Sequence, residues 1–156
     1  MNTYDYIKVG GKIIETLHKK TMDDNFTILD ETSKFVLGHI FEEVYLFDKE
    51  TNGRYELGSI YGDPSCGLID QDNKWCIIGG STLIIWTPKE TNEVKVDELY
   101  GACKLRRINQ DKVQVLIDPW SDNSAIWELN IMDKSYFKIC EFKNYRNKEY
   151  TEQIEW

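Results

Sequence analysis

Two histidines, His18 and His39, and four cysteines, Cys66, Cys76, Cys103 and Cys140, are the side chains of this chain best suited to hold a metal or to begin a nucleophilic reaction. Their spacing supports neither use. No Cys-x-x-Cys pair and no His-Glu-x-x-His helix motif is present, so neither a zinc site nor a redox pair is expected. The cysteines read as reduced, small hydrophobes, and His39 as a residue closing a strand. Gly79-Gly80-Ser81 lacks the Gly-x-Ser-x-Gly frame of a nucleophile elbow and reads as a hairpin turn. Gly10-Gly11 has no Lys-Ser/Thr and no helix after it, which excludes a phosphate loop. Two carboxylates, Asp30 and Asp70, occupy matching places in a repeat, with Asn109 in a third copy. Paired carboxylates can run glycosidic chemistry. A series that recurs in every copy is better explained by turn formation, in which Asp and Asn bond their own backbone two residues on. The expectation is a protein that is not an enzyme and has no metal or cofactor.

The elements that carry these residues repeat with a period of about forty residues. Ile28-Leu29-Asp30-Glu31-Thr32-Ser33-Lys34-Phe35 returns as Leu68-Ile69-Asp70-Gln71-Asp72-Asn73-Lys74-Trp75. Lys49-Glu50-Thr51-Asn52 returns unchanged as Lys89-Glu90-Thr91-Asn92. With one residue dropped, Tyr55, Leu57, Ile60, Tyr61 and Gly62 fall on Val94, Val96, Leu99, Tyr100 and Gly101. A looser third copy runs through Ile108 to Val113, and Trp127 takes the place of Trp86. Each copy reads as four short strands, with the two middle ones apolar at nearly every position, as strands covered on both faces are. Such a period built from strands is the mark of propeller blades. The expectation is an all-β domain over 1–156. It has three propeller-like antiparallel four-stranded repeats, at about 26–60, 67–99 and 103–142, after an N-terminal β-hairpin turning at Gly10-Gly11. Closed propellers typically have 4–8 blades, so an open arrangement or a partial fourth unit is implied. A β-sandwich is the alternative, although sandwich strands have no reason to repeat their turns. The N-terminal hairpin and the tail are expected to cover sheet edges, which otherwise invite aggregation.

Composition narrows the partner. Nineteen Lys and Arg against 27 Asp and Glu give a net charge of −8. Phosphate contacts are made by cations, so direct nucleic-acid binding is not expected; an acidic surface favours a basic partner or serves solubility. No run approaches the ~20 apolar residues of a membrane span. The opening residues Met1 to Tyr6 have neither the basic nor the apolar region of a secretory signal, so a cytoplasmic location is expected.

Consecutive antiparallel strands A to D send the A–B and C–D turns to one end and the B–C and D–A loops to the other. The first end collects short, polar, similar turns, including both Lys-Glu-Thr-Asn segments. The second collects Glu42 and Glu43, the segment Tyr61-Gly62-Asp63-Pro64, Gly79-Gly80-Ser81, Tyr100-Gly101, and the long loop Asp118-Pro119-Trp120-Ser121-Asp122-Asn123. Insertions that depart from a repeat map to loops, often on the binding face. Trp and Tyr anchor interfaces, and the charges among them are all negative. Trp120 is therefore the expected central anchor of a partner-binding face, with Asp118 and Asp122 beside it, Asp63, Glu42 and Glu43 as rim charge, and Tyr61 and Tyr100 as further partner-binding candidates. The alternative for Trp120 is that it caps the core. For Tyr61 and Tyr100 the alternative, favoured by the repeated Tyr-Gly, is packing between blades.

A small, acidic, single-domain β protein without a catalytic motif, with an aromatic and acidic face, resembles a bacterial immunity protein of a contact-dependent growth inhibition or other polymorphic-toxin system. The repeats also resemble WD-type propeller units, but lack their Gly-His and Trp-Asp signatures. The immunity resemblance implies an antitoxin that binds a cognate toxin domain and blocks its active site or substrate surface. Many such toxins are basic nucleases, for which an acidic inhibitor is electrostatically suited. The competing expectation is a propeller-like scaffold or ligand-binding module.

Overall fold

Short runs of β-branched and aromatic residues, each ended by a polar turn, form twelve strands in the computed structural model, which describes residues 25–156. The hairpin expected at Gly10-Gly11, and His18, lie outside the described residues. Sheet 1 is the meander β1 (Phe26–Glu31), β2 (Phe35–Ile40), β3 (Glu43–Asp48) and β4 (Gly53–Ser59). Sheet 2 is β5 (Cys66–Ile69), β6 (Cys76–Gly79), β7 (Leu83–Trp86) and β8 (Thr91–Val94). After a 3-10 turn at Asp97–Leu99, sheet 3 is β9 (Ala102–Arg107), β10 (Lys112–Ile117), β11 (Ala125–Asn130) and β12 (Tyr136–Glu141). All pairings within the three sheets are antiparallel between consecutive strands, as the three repeats require.

Sheet 2 explains why its middle strands are apolar throughout. Side chains alternate between the two faces of a strand. Cys76, Ile78, Ile84 and Trp86 pack with Phe35, Leu37, Val44 and Leu46 of sheet 1. Trp75, Ile77, Leu83 and Ile85 pack with Val113, Val115, Ile117 and Leu129 of sheet 3. Two separate cores thus lie on either side of one sheet. The first strand β5 lies against β1 and β2 on one side and β9 on the other.

Two glycines permit this closeness. A Cβ at Gly67 would lie 2.9 Å from Leu29 Cβ, and one at Gly79 would lie 2.8 Å from Ala102 Cβ. The edge of β5 that β6 does not pair is closed by side chains from both neighbours. Asp30 Oδ2 accepts the Ile69 amide at 2.7 Å, and Arg107 Nη2 donates to the Ile69 carbonyl at 2.6 Å. The turn reading of the Asp30 series is corrected here. Asn109 Oδ1 accepts the Asp111 amide two residues on, and Asp70 Oδ2 the Lys74 amide four on, but Asp30 ties two sheets together.

Identical turn sequences sit differently. Lys49 to Asn52 fill the β3–β4 loop, where Asp48 Oδ1 accepts the Glu50 and Thr51 amides. In sheet 2 Pro88 stands where Asp48 does; it has no N–H and cannot continue a paired strand. β7 therefore stops at Trp86, Thr87 Oγ1 accepts the Lys89 and Glu90 amides, and Thr91 and Asn92 already belong to β8. Trp127 faces the same way as Trp86, each toward the preceding sheet, Trp86 on the core between sheets 1 and 2 and Trp127 on the core between sheets 2 and 3; the register differs, because Trp86 pairs with Cys76 at the start of β6 and Trp127 with Val115 further along β10.

The tail covers a face rather than an edge. Phe142, Tyr145, Ile154 and Trp156 pack on Leu116 and Ile126 of sheet 3, whose outer face has no fourth sheet against it among the described residues. The Arg106 guanidinium lies 4.0 Å from the Trp156 ring centre and donates to the Trp156 main-chain oxygen.

Gly79→Ala should cost about 1–3 kcal/mol by overpacking the contact of sheets 2 and 3. Gly62→Ala, whose Cβ would meet nothing within 4 Å, should cost only the strain of its φ of +79°, about 1 kcal/mol. Urea denaturation midpoints check the order.

Candidate functional site

Each of the first two copies ends on the same three-residue device at the end that gathers the B–C and D–A loops. Ile60 and Leu99 are buried, Tyr61 and Tyr100 follow them into solvent, and Gly62 and Gly101 turn the chain at φ +79° and +85°. Positive φ is the conformation glycine adopts without penalty. Tyr61 is 80% exposed and Tyr100 62% exposed. The alternative that they pack between blades is overturned: Ile60 and Leu99 fill the interior, which sends the next residue outward.

The loops are fixed to one another. Glu42 Oε1 accepts the Gly62 amide at 2.8 Å, the Glu42 carbonyl accepts the Ile60 amide at 2.9 Å, and Ser81 Oγ donates to the Tyr61 carbonyl at 2.9 Å. The Gly80 carbonyl accepts the amides of Gly101 and Ala102, and the Gly101 carbonyl accepts that of Asp118. Tyr61 thus stands on a backbone held from two sides. Ordering costs of binding are lowest for such a residue.

Phe41, between β2 and β3, was not singled out from the sequence. It is 62% exposed at φ +51°, an uncommon conformation for a bulky residue. The nearly buried His39 holds it by donating from Nδ1 to the Phe41 carbonyl at 2.7 Å. Neither Gly nor Asn marks this turn, so no sequence signal pointed to it.

Among the described residues, clefts open at this end, of which three bear on the site. One, of about 530 Å³, is lined by Tyr61 and Tyr100 together with Glu42, Glu93 and Asp97. A second, of about 280 Å³, shares both tyrosines and adds Asp63 and Asp118. A third, of about 440 Å³, runs from Asp118 past Trp120 to Tyr150. Of the residues expected at a partner-binding face, Glu42, Tyr61, Asp63, Tyr100, Asp118 and Trp120 therefore line clefts that share members. Glu43 and Asp122 are exposed at the same end but line none of the three. The charges are not all negative, because Lys95 lines the first cleft and Lys104 the third.

Trp120 has intramolecular work. Its ring lies 5.0 Å from that of Tyr150 and 5.8 Å from that of Tyr145, and its Nε1 donates to the Lys148 carbonyl at 3.1 Å. Asp118 Oδ1 accepts the Trp120 amide at 3.0 Å, and the Asp122 carbonyl accepts Arg146 Nη2 at 3.1 Å. The inserted loop is thus the dock for the tail.

The opposite end carries more than the plain turns expected of it. A cleft of about 600 Å³ opens between sheets 2 and 3, lined by Trp75, Pro88, Ile131 and Met132 below charged residues including Asp72 and Lys89. Trp75 Nε1 donates to the Gln110 carbonyl at 2.8 Å, and Lys134 Nζ faces Glu90 at 3.6 Å. An exposed Met132 in a turn was the available signal.

Burial pushes the thiols of Cys66, Cys76 and Cys103 up, which leaves little thiolate for nucleophilic attack. Cys66 and Cys76 lie in the two cores. Among the described residues no three His, Cys, Asp or Glu side chains group as metal ligands, and no helix is long and apolar enough to cross a membrane. No protein-family model and no curated protein matches this chain.

Trp120→Ala should therefore loosen residues 143–156 and leave sheets 1 and 2 unchanged. Amide hydrogen exchange should rise by at least about tenfold in that tail, the loss of about 1.4 kcal/mol of local protection. Unchanged exchange there would show that the tail does not rest on Trp120.

Proposed function

We propose that this protein is an immunity protein: a non-catalytic cytoplasmic binder that neutralises a cognate toxin domain, a basic nuclease being the class its charge suits best. The observation that supports it most is the pair of exposed, backbone-fixed tyrosines, Tyr61 and Tyr100, set among carboxylates on one end of the sheets. Rigid exposed aromatics are what interface anchors require, and the net charge of −8 draws a basic partner at long range. Phe41 extends the aromatic surface. The anchor role expected of Trp120 passes to the tyrosines, while Asp63, Glu42 and Glu43 remain as rim charge and Asp118 and Asp122 join them. In this reading the three sheets stack in a propeller-like way, because their first strands neighbour one another, β5 between β1 and β9.

The second reading is a ligand-binding module. The cleft of about 600 Å³ at the opposite end favours it, since small-molecule sites span ≈ 300–1,000 Å³.

Co-expression with the product of the neighbouring gene tests the first reading. That product should be toxic alone and harmless beside this protein. Tyr61→Ala with Tyr100→Ala should abolish protection without unfolding the chain, because an anchor truncation costs about 2 kcal/mol or more. Asp63→Lys or Glu43→Lys should slow association most at low ionic strength. A neighbour product that is harmless alone, or equally toxic with and without this protein, refutes the immunity role.

A further inference from the structure

We propose that the cleft between Tyr61 and Tyr100 seats an arginine side chain of the partner. The proposal rests on reading that end as the partner-binding face, and it names the group recognised there. The two tyrosines line the same two adjoining clefts, so a side chain entering either one meets both residues. Around the larger cleft stand the carboxylates of Glu42, Glu93 and Asp97 against the single ammonium of Lys95, and the smaller adds Asp63 and Asp118. Aromatic faces attract cations, and carboxylates add charge-assisted hydrogen bonds. A guest that uses both forces is cationic, and one with a flat, donor-bearing head can stack on a ring while it bonds the carboxylates.

Arginine meets that requirement better than lysine. Its guanidinium is planar, less strongly hydrated, and offers five N–H donors in a fork, whereas an ammonium is a compact, strongly hydrated charge. The chain already uses this chemistry internally, with Arg106 over Trp156 at 4.0 Å and Arg54 over Tyr45 at 5.1 Å.

The test titrates the full chain, with its tyrosine rings followed by NMR, against the peptide acetyl-Gly-Arg-Gly-amide. The same peptides with lysine or with citrulline, the uncharged planar analogue of arginine, are the comparators. The ring signals of Tyr61 and Tyr100 should shift saturably with arginine. Binding should be several-fold weaker with lysine and at least tenfold weaker with citrulline, and Tyr100→Ala should remove the Tyr61 shifts. Equal shifts with citrulline, shifts confined to the opposite cleft, or unmoved tyrosine rings overturn the proposal. Protection in co-expression together with unmoved rings would leave the immunity reading standing and this one refuted. Arginine binding without protection would do the reverse.

Discussion

The structure depends on burying both faces of sheet 2. A sheet with apolar side chains at every position of β6 and β7 but Gly79 cannot present either face to water, and each neighbour covers one: sheet 1 over Cys76, Ile78, Ile84 and Trp86, sheet 3 over Trp75, Ile77, Leu83 and Ile85. The sheets can close only where β5 and β6 have no side chain, at Gly67 and Gly79. They are held in register where Asp30 and Arg107 take the amide and the carbonyl of Ile69. Buried backbone groups left open would cost about 1–3 kcal/mol each, so the two side chains make the sandwiching of β5 compatible with its unpaired edge.

The same constraint makes the two ends unlike. At the D–A junctions the chain must cross from one sheet to the next over the covered interface, and it does so by planting Ile60 or Leu99 inside and turning on a glycine. The residue between them has nowhere to go but solvent. Duplication of the repeat thereby duplicates an exposed tyrosine, and the bonds through Glu42, Ser81 and Gly80 fix the backbones beneath both loops. A binding surface follows from how the sheets connect, without any motif for it.

That origin explains what could be read from residues alone. The three sheets were legible because repeated turns and short apolar runs are local signals. The shifted start of β8 depends on Pro88, a substitution inside an otherwise matching segment, which the unchanged Lys-Glu-Thr-Asn sequence conceals. A repeated Tyr-Gly reads as packing as readily as exposure, so only the burial of the preceding Ile60 and Leu99 decides between the two for Tyr61 and Tyr100. Trp120 drew attention as an inserted tryptophan, but its partners Tyr145, Lys148 and Tyr150 are twenty-five or more residues away in a tail without pattern. Phe41 was invisible because its strained turn is held by His39 rather than by a turn-forming residue. The cleft around Trp75 and Met132 arises between sheets, where strand patterns carry no information.

The most direct test of the account is the hydrogen-exchange footprint of the purified product of the neighbouring gene on this protein. Binding at the tyrosine-bearing end predicts slowed exchange at residues 41–43, 60–65, 80–82 and 95–101, with the turns at 87–90 and 131–135 unchanged. Slowing confined to those two turns, with none around Tyr61 and Tyr100, would contradict it.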